Sequence, residues 1–422
     1  MRIGVPSEYG EGAWFAWLFA KHGHSVDLSI KTPQCRDALR GLVNTVESLA
    51  EPASYDQIVF DVTGNGKLAD ECRLVTPTIG DSSLADKLEE DRKYALEFMQ
   101  QCGVQVSQWE HFSNPADAIR YIKKRNVRMV FKPIGEQVDK STTYVGKSPE
   151  DMLRYFDVLF RSTPLKEFVL QDFVKGTEVS TEVYINANGY YALNSTLECK
   201  KLMNSDLGPN TGCSGSLIWM SPRDNPLFEK GLKKCVEPLI DMGYVGPIDL
   251  NTIVNDSGVW GLEFCARFGY DASALLTRLI PIDFAEFLYA IATNSPVPDL
   301  TPRHSFCATN RLSIPPYPTE SLPQKFIKAG VPIDGLTEKM LEKFYIFDVR
   351  QKEGSDELES AGICGWLGCP LSVGETIGQA FDGADAMLKQ LTVPNAQYRT
   401  DIRHNTAKRY AELHEGGWLK AT

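Results

Sequence analysis

The sequence predicts a multidomain chain of mixed α/β and α+β class. Its 422 residues exceed one ordinary core, and 43% hydrophobic with 23% charged residues suffice to build and solvate several. At the start, short apolar runs alternate with helical patterns, as in strands joined by helices. Further on, strands follow one another with only turns between them, and prolines gather near residue 300.

Residues 2–6 read as a strand, Gly10 and Gly12 punctuate a turn, and 13–22 carry apolar residues at helical spacing. Strands resume at 26–30 and 58–62, the latter closed by Thr63-Gly64-Asn65-Gly66. Open α/β sheets bind ligands beyond the carboxyl ends of their strands, so both glycine turns are candidate substrate walls as well as plain βα turns. Residues 83–102 read as one charged amphipathic helix. Helices at 116–125 and 149–160, with strands at 128–133 and 168–174, make a compact α+β unit. Strands at 179–184 and 190–196 lead to a glycine-rich stretch, 208–215, read as a loop. A helix over 226–242 follows, then strands at 246–254 and 259–265 around a turn at 255–258. Proline-rich segments at 296–302 and 315–323 set a boundary near 300.

Composition excludes several classes. A net charge of −11, from 44 Lys+Arg against 55 Asp+Glu, argues against a nucleic-acid or anionic-membrane surface. No apolar run is long enough to span a bilayer, and the opening residues lack the pattern of a signal peptide. Ten cysteines form no CxxC pair, so reduced thiols in a cytoplasmic protein are expected.

Alternation carries the chemical argument. On paired strands at 246–265, Asp249 and Asn251 share a face, as do Glu263, Cys265 and Arg267. Magnesium takes hard oxygen ligands and shares phosphate oxygens, so Asp249 and Glu263 are candidate ligands. Arg267 is placed to neutralise a transferring phosphoryl group. A salt-bridge cluster explains the same residues. Lys132 lies in an apolar strand and needs an anion or an escape to water. Beyond it, Asp139-Lys140-Ser141-Thr142 has the donors for a phosphate loop, although GxxxxGK[ST] is absent. The stretch Gly208-Pro209-Asn210-Thr211-Gly212-Cys213-Ser214-Gly215 permits close backbone approach to a carboxylate or phosphate.

In this order the pieces resemble ATP-grasp enzymes, most closely the phosphoribosylamine–glycine ligase family. The residues 88–99, LEEDRKYALEFM, are similar to its LEGSKxFAKxFM helix, with Arg92 at the lysine position. Gln171-Asp172-Phe173-Val174 resembles the EEFL hinge that holds adenine, and Gly176-Thr177-Glu178-Val179-Ser180 matches GxExS. Lys200 falls where DHKR is expected, 208–215 resembles the carboxylate-substrate motif GPNTGGMG, 263–269 resembles EFNxRFG, and 398–402 resembles YRxDI.

The resemblance implies an ATP-grasp fold with a Rossmann-like amino-terminal domain (1–80), a linking helix (81–104), a lid (105–170), a core (171–300) and a small carboxyl-terminal α+β domain (301–422). It implies ATP at Arg92, Lys132, Lys140, Ser141, Gln171 to Val174, Glu178 and Lys200. Mg2+ or Mn2+ is expected at Asp249 and Glu263, and a carboxylate substrate, glycine in the family, at 208–215 and Arg267. Arg267, Lys132 and Arg92 are the expected catalytic cations. Where the family has the asparagine of EFN, this chain has Cys265, and Asn251 is the expected replacement ligand. The family's ribose-phosphate loop GxGGREHA is replaced by SEYGEGAW at 7–14. Glu8, Gly10, Gly12, Gly64 and Asn65 are therefore candidates for an amine other than phosphoribosylamine. The implied partners are a small amino acid and an amine, on a monomer or homodimer. The purine-pathway ligase, a ligase for a different amine, an acyl-phosphate kinase and an inactive nucleotide-binding homologue all remain open.

Overall fold

A computed structural model describes residues 1–134, 143–162, 167–318 and 328–420. The amino-terminal strands β1 (Arg2–Ser7), β2 (Ser25–Ile30), β3 (Gln57–Val59) and β4 (Thr78–Ile79) form a parallel sheet in the order β2-β1-β3-β4. Helix α1 (Ala13–Lys21) buries every residue from Ala13 to Phe19. A helix apolar on all sides needs cover on all sides. The cover comes from distant chain: Trp14 lies 5.3 Å from the Tyr345 ring and Phe15 5.9 Å from Phe268. The first and last parts of the chain thus share one core.

Helix α2 (Gly66–Arg73) precedes the segment expected as one helix, which is two: α3 (Ser83–Glu90) and α4 (Arg92–Gln101). Asp91 breaks it. Its backbone leaves the helical region at φ −89°, ψ 88°, and its carboxylate accepts the Tyr94 N–H at 2.9 Å. A capping aspartate offers the chain a competing local bond. Arg92 consequently opens α4.

Strands β5 (Trp109–Phe112), β6 (Met129–Ile134), β7 (Tyr144–Val145) and β8 (Glu167–Asp172) form an antiparallel sheet in the order β5-β8-β6-β7. Helices Pro115–Arg125 and Pro149–Ser162 belong to the same unit, whose core includes Phe112, Phe131, Phe156 and Phe168.

The largest sheet joins β9 (Thr177–Asn186), β10 (Gly189–Met203), β11 (Leu207–Met220), β12 (Gly246–Asn255), β13 (Gly258–Cys265), β14 (Phe306–Asn310) and an edge strand, Ser372–Gly374. Its order is β13-β12-β9-β10-β11-β14 and then the edge strand, antiparallel throughout. The sheet therefore runs across the boundary expected near residue 300. The glycine-rich stretch expected as a loop lies within β11, where Lys201 pairs with Asn210 and Cys199 with Gly215. Irregular register between these pairs lets glycine and proline enter a strand that a long partner templates. The helix expected at 226–242 is also divided, into Pro226–Lys230 and Lys233–Asp241. No helix of the described residues is long and apolar enough to cross a membrane.

Candidate nucleotide and ligase site

The register of the large sheet builds the site. Asn251 lies opposite Glu263 on one side and Ser180 on the other, and Asp249 lies between Cys265 and Glu182. Directly paired residues face the same way, so one sheet face carries all of these together with Glu178. The Asn251 amide donates to Glu178 Oε1 at 2.9 Å.

Cations meet this acidic face from the smaller sheet and from α4. Arg92 Nη1 donates to Glu263 Oε2 at 2.8 Å and Arg92 Nε to the Pro133 carbonyl at 3.1 Å. One guanidinium thus joins the two sheets. Lys132, on β6, is only 8% exposed, and its Nζ donates to the Leu262 carbonyl at 3.4 Å. Burial lowers its pKa to about 8; Glu263 opposes that shift and Arg92 adds to it. Lys200 is ion-paired with Glu198. Burial would depress Lys200, but Glu198 and Glu178 outweigh it and hold the amine above its usual value. Burial would raise Glu263, yet Arg92, Lys132 and Lys200 hold it at about 2, even with 44% of its side chain exposed. A cluster of this kind can exchange its own carboxylate for phosphate oxygens.

The same face carries donors for a hard cation. Burial raises Asp249 well above the usual carboxylate range, and Glu182 and Glu198 raise it further. Glu182, which the sequence reading passed over, is 2% exposed and pushed by burial to about 7. Its Oε2 accepts the Asn194 amide at 2.8 Å, while Oε1 has no partner among the described residues. Under-neutralised carboxylates fit Mg2+, which takes one or two of them and completes its shell with phosphate oxygens and water. No three His, Cys, Asp or Glu side chains among the described residues form a ready cage. The Cys265 thiol is pushed far up by burial and stays neutral, a poor partner for such an ion.

Arg267 is held by a different carboxylate from the one that Arg92 meets. Its Nε donates to Glu89 Oε1 at 3.1 Å and its Nη1 to the Phe268 carbonyl at 2.9 Å, which ties the end of β13 to α3. In the segment Gln171 to Val174, the Asp172 and Phe173 N–H groups donate to Gln108 O at 2.8 Å and Arg128 O at 2.9 Å. The Arg128 guanidinium lies 3.5 Å over the Phe173 ring, and the buried Gln171 Nε2 has no partner among the described residues. Lys140 and Ser141 lie outside the described residues.

Along β11, Gly208, Pro209 and Asn210 are exposed, whereas Ser214 and Gly215 are buried. The Thr211 hydroxyl donates to the Lys200 carbonyl at 2.9 Å and contacts Ser214 Oγ at 3.0 Å. Gly215 is there for packing, since a Cβ would lie 2.3 Å from Ile402 and 2.6 Å from the Thr309 carbonyl. Beside Gly212 stands a second residue the sequence reading missed, Arg311. It is 5% exposed, paired to Asp271 at 2.8 Å and stacked 3.9 Å over Trp366. A lone arginine in the apolar stretch around β14 was its only signal.

Of the amine-side candidates, Glu8, Gly10 and Gly12 lie in the turn after β1, and Gly64 and Asn65 in the turn after β3. Glu8 and Asn65 line a cavity of about 580 Å³ that also takes in Lys31 and Arg36. Lys31 pairs with Glu8 at 2.9 Å.

Residues 90–273 match the family model for the phosphoribosylglycinamide synthetase ATP-grasp (A) domain. The chain has the ATP-grasp fold. A phosphoribosylamine–glycine ligase of Streptococcus suis is 25% identical over 340 residues, 78% of each chain. One from Leptospira interrogans is 21% identical over 376 residues, 85% of each chain. The crystal structure of the Thermotoga maritima phosphoribosylamine–glycine ligase superposes with a TM-score of 0.75 at 22% identity, covering 95% of this chain and 100% of that one. Biotin carboxylase from Campylobacter jejuni shares the fold, with a TM-score of 0.65 at 13% identity over 98% and 96% of the two chains.

Proposed function

We propose that this protein is an ADP-forming carboxylate–amine ligase that works through an acyl phosphate. The observation that carries the reading is Arg92 bridging Pro133 and Glu263 beside the buried Lys132, a cluster suited to the phosphates of ATP. Gln171 to Val174 form the adenine edge, and Glu178 and Lys200 the inner wall. The sequence resemblance adds Lys140 and Ser141 as further ATP-binding residues.

Glu263 and Asp249, with Asn251, would hold Mg2+ or Mn2+, which screens phosphoryl charge when bound. Arg92, Lys132 and Arg267 neutralise the phosphoryl group as the carboxylate attacks in line and ADP leaves. The carboxylate comes from an amino acid along 208–215, and the retained GPNTG supports glycine. The amine then attacks the acyl carbon and phosphate departs, giving an amide. Closure of the β5–β8 unit keeps water from the intermediate. A cytoplasmic monomer or homodimer acting on small molecules fits the acidic surface charge.

A second reading keeps the chemistry and changes the amine, because Glu8 and Glu11 stand in the turn that the family resemblance expects to read GxGGREHA. The test is magnesium-dependent ADP release with glycine, with and without phosphoribosylamine, beside a panel of other amino acids and amines. Turnover needing glycine and any amine supports the ligase; ATP binding without amine-dependent ADP release rejects it. Glu263→Ala should abolish release with the fold intact, and retained turnover would remove Glu263 from the metal site.

A further inference from the structure

We infer that the amine accepted by this enzyme carries no phosphate group. The inference rests on the ligase reading and narrows the substrate of that same site.

Backbone N–H groups gathered in a turn are the usual cradle for a phosphate. Three such turns border the amine side, and each is filled by a carboxylate of the chain itself. After β1, the Gly12 N–H donates to Asp61 Oδ2 at 2.6 Å, and the Gly10 N–H reaches Ser7 Oγ at 2.7 Å. Ser7 Oγ in turn donates to Asp61 at 2.5 Å. After β3, Gly64 and Gly66 donate to the two oxygens of Asp86 at 2.5 and 2.9 Å, and Asn65 to Asp81 at 2.8 Å. That set also occupies the amino end of α2. In the carboxyl-terminal part, Gly362, Ile363, Cys364 and Gly365 all donate to Asp348, at 2.7, 2.9, 2.9 and 2.6 Å.

The first and third turns border one region. Tyr345 Oη donates to the Glu11 carbonyl at 2.9 Å, and the Cys35 thiol is pushed up to about 12 by burial together with Glu11, Asp348 and Glu8. Asp61 and Asp348 are 5% and 0% exposed, so a phosphate could enter only by evicting a buried carboxylate or by lying against one. Both are costly. The two cations of the adjacent cavity do not reverse the balance. Lys31 is paired with Glu8, Arg36 Nε donates to the Ile30 carbonyl at 3.2 Å, and Glu47 and Glu51 share the lining.

The experiment pairs each amine with its phosphate ester on the full chain: ribosylamine with phosphoribosylamine, and glucosamine with glucosamine 6-phosphate. ADP release is followed with MgATP and glycine. In any pair that turns over, the phosphate-free member should have at least about tenfold higher kcat/KM. Preference for the ester would overturn the inference and leave the ligase standing. A second arm needs no turnover: calorimetric titration with ribose 5-phosphate, with MgADP filling the nucleotide site. No binding is expected. Saturable binding weakened by Lys31→Ala or Arg36→Ala would overturn the inference even in a protein that releases no ADP with any amine, the result that would instead reject the ligase reading.

Discussion

Lys132 and Glu263 each favour the other's charged form, and each makes a separate forecast. Burial lowers Lys132 to about 8, below an unfolded value near 10.4. The sign follows: below pH 8 the amine is charged in both states and its burial penalty is complete. Between about pH 8 and 10 the folded protein sheds the proton first, and stability rises. Lys132→Met should therefore stabilise the fold at pH 7, by up to about 3 kcal/mol, and the gain should shrink at pH 10 in denaturant titrations at both values. Nucleotide binding near pH 8.5 should take up a fraction of a proton, read as a dependence of calorimetric heat on buffer ionisation enthalpy. Identical heats in all buffers would take Lys132 away from the phosphates. Glu263 behaves oppositely. It is held at about 2, so its contribution is whole above pH 4.3 and is lost as pH falls toward 2. Much of this chemistry was written in period-two patterns. Glu178, Ser180 and Glu182, like Asn194, Thr196, Glu198 and Lys200, alternate along their strands and share a face. What the pattern lacked was register, which alone sets Glu182 opposite Asp249.

Helix α4 and strand β11 show where local reasoning gives way. A helical pattern runs unbroken from 83 to 102, and nothing in it says that Asp91 will cap rather than continue. Asp91→Ala should cost about 1 kcal/mol of stability. By letting α3 and α4 fuse it should also raise the KM for ATP through Arg92, with little change in KM for the amine. An equal rise in both would mean Arg92 is not set by the cap. In β11, glycine and proline content predicts a loop, but pairing with β10 decides. Gly215→Ala must push into the Thr309 carbonyl, so a loss of about 1–3 kcal/mol is expected. Ile402→Ala should restore only part of it, because Ile402 supplies one of the two contacts. Full rescue would show that the backbone can yield.

Domain boundaries were the least readable part of the chain, because they depend on contacts between residues hundreds of positions apart. The prolines near 300 mark a surface passage, yet β14 and the strand Ser372–Gly374 return to the large sheet, and Trp14 packs on Tyr345. Fragments 1–300 and 301–422 expressed separately should each lack a cooperative thermal transition, and should regain one when mixed. Independent melting of either would contradict the shared core. The carboxylates that fill the three turns were unreadable for the same reason. Nothing in the sequence says that Asp61, Asp81, Asp86 and Asp348 will each meet the backbone N–H groups of a distant turn.

Arg92 holds the Pro133 carbonyl and Glu263 at the same moment, so a nucleotide bound as proposed would meet a cation that already has a counterion. Its arrival is then a swap, much as a resin releases one anion to take another. The measured affinity reports the difference between two attachments, and a modest dissociation constant is compatible with a strong grip on phosphate. Freed from Arg92, Glu263 would become available to a metal ion in the same event, so the nucleotide itself would arm the site that it needs.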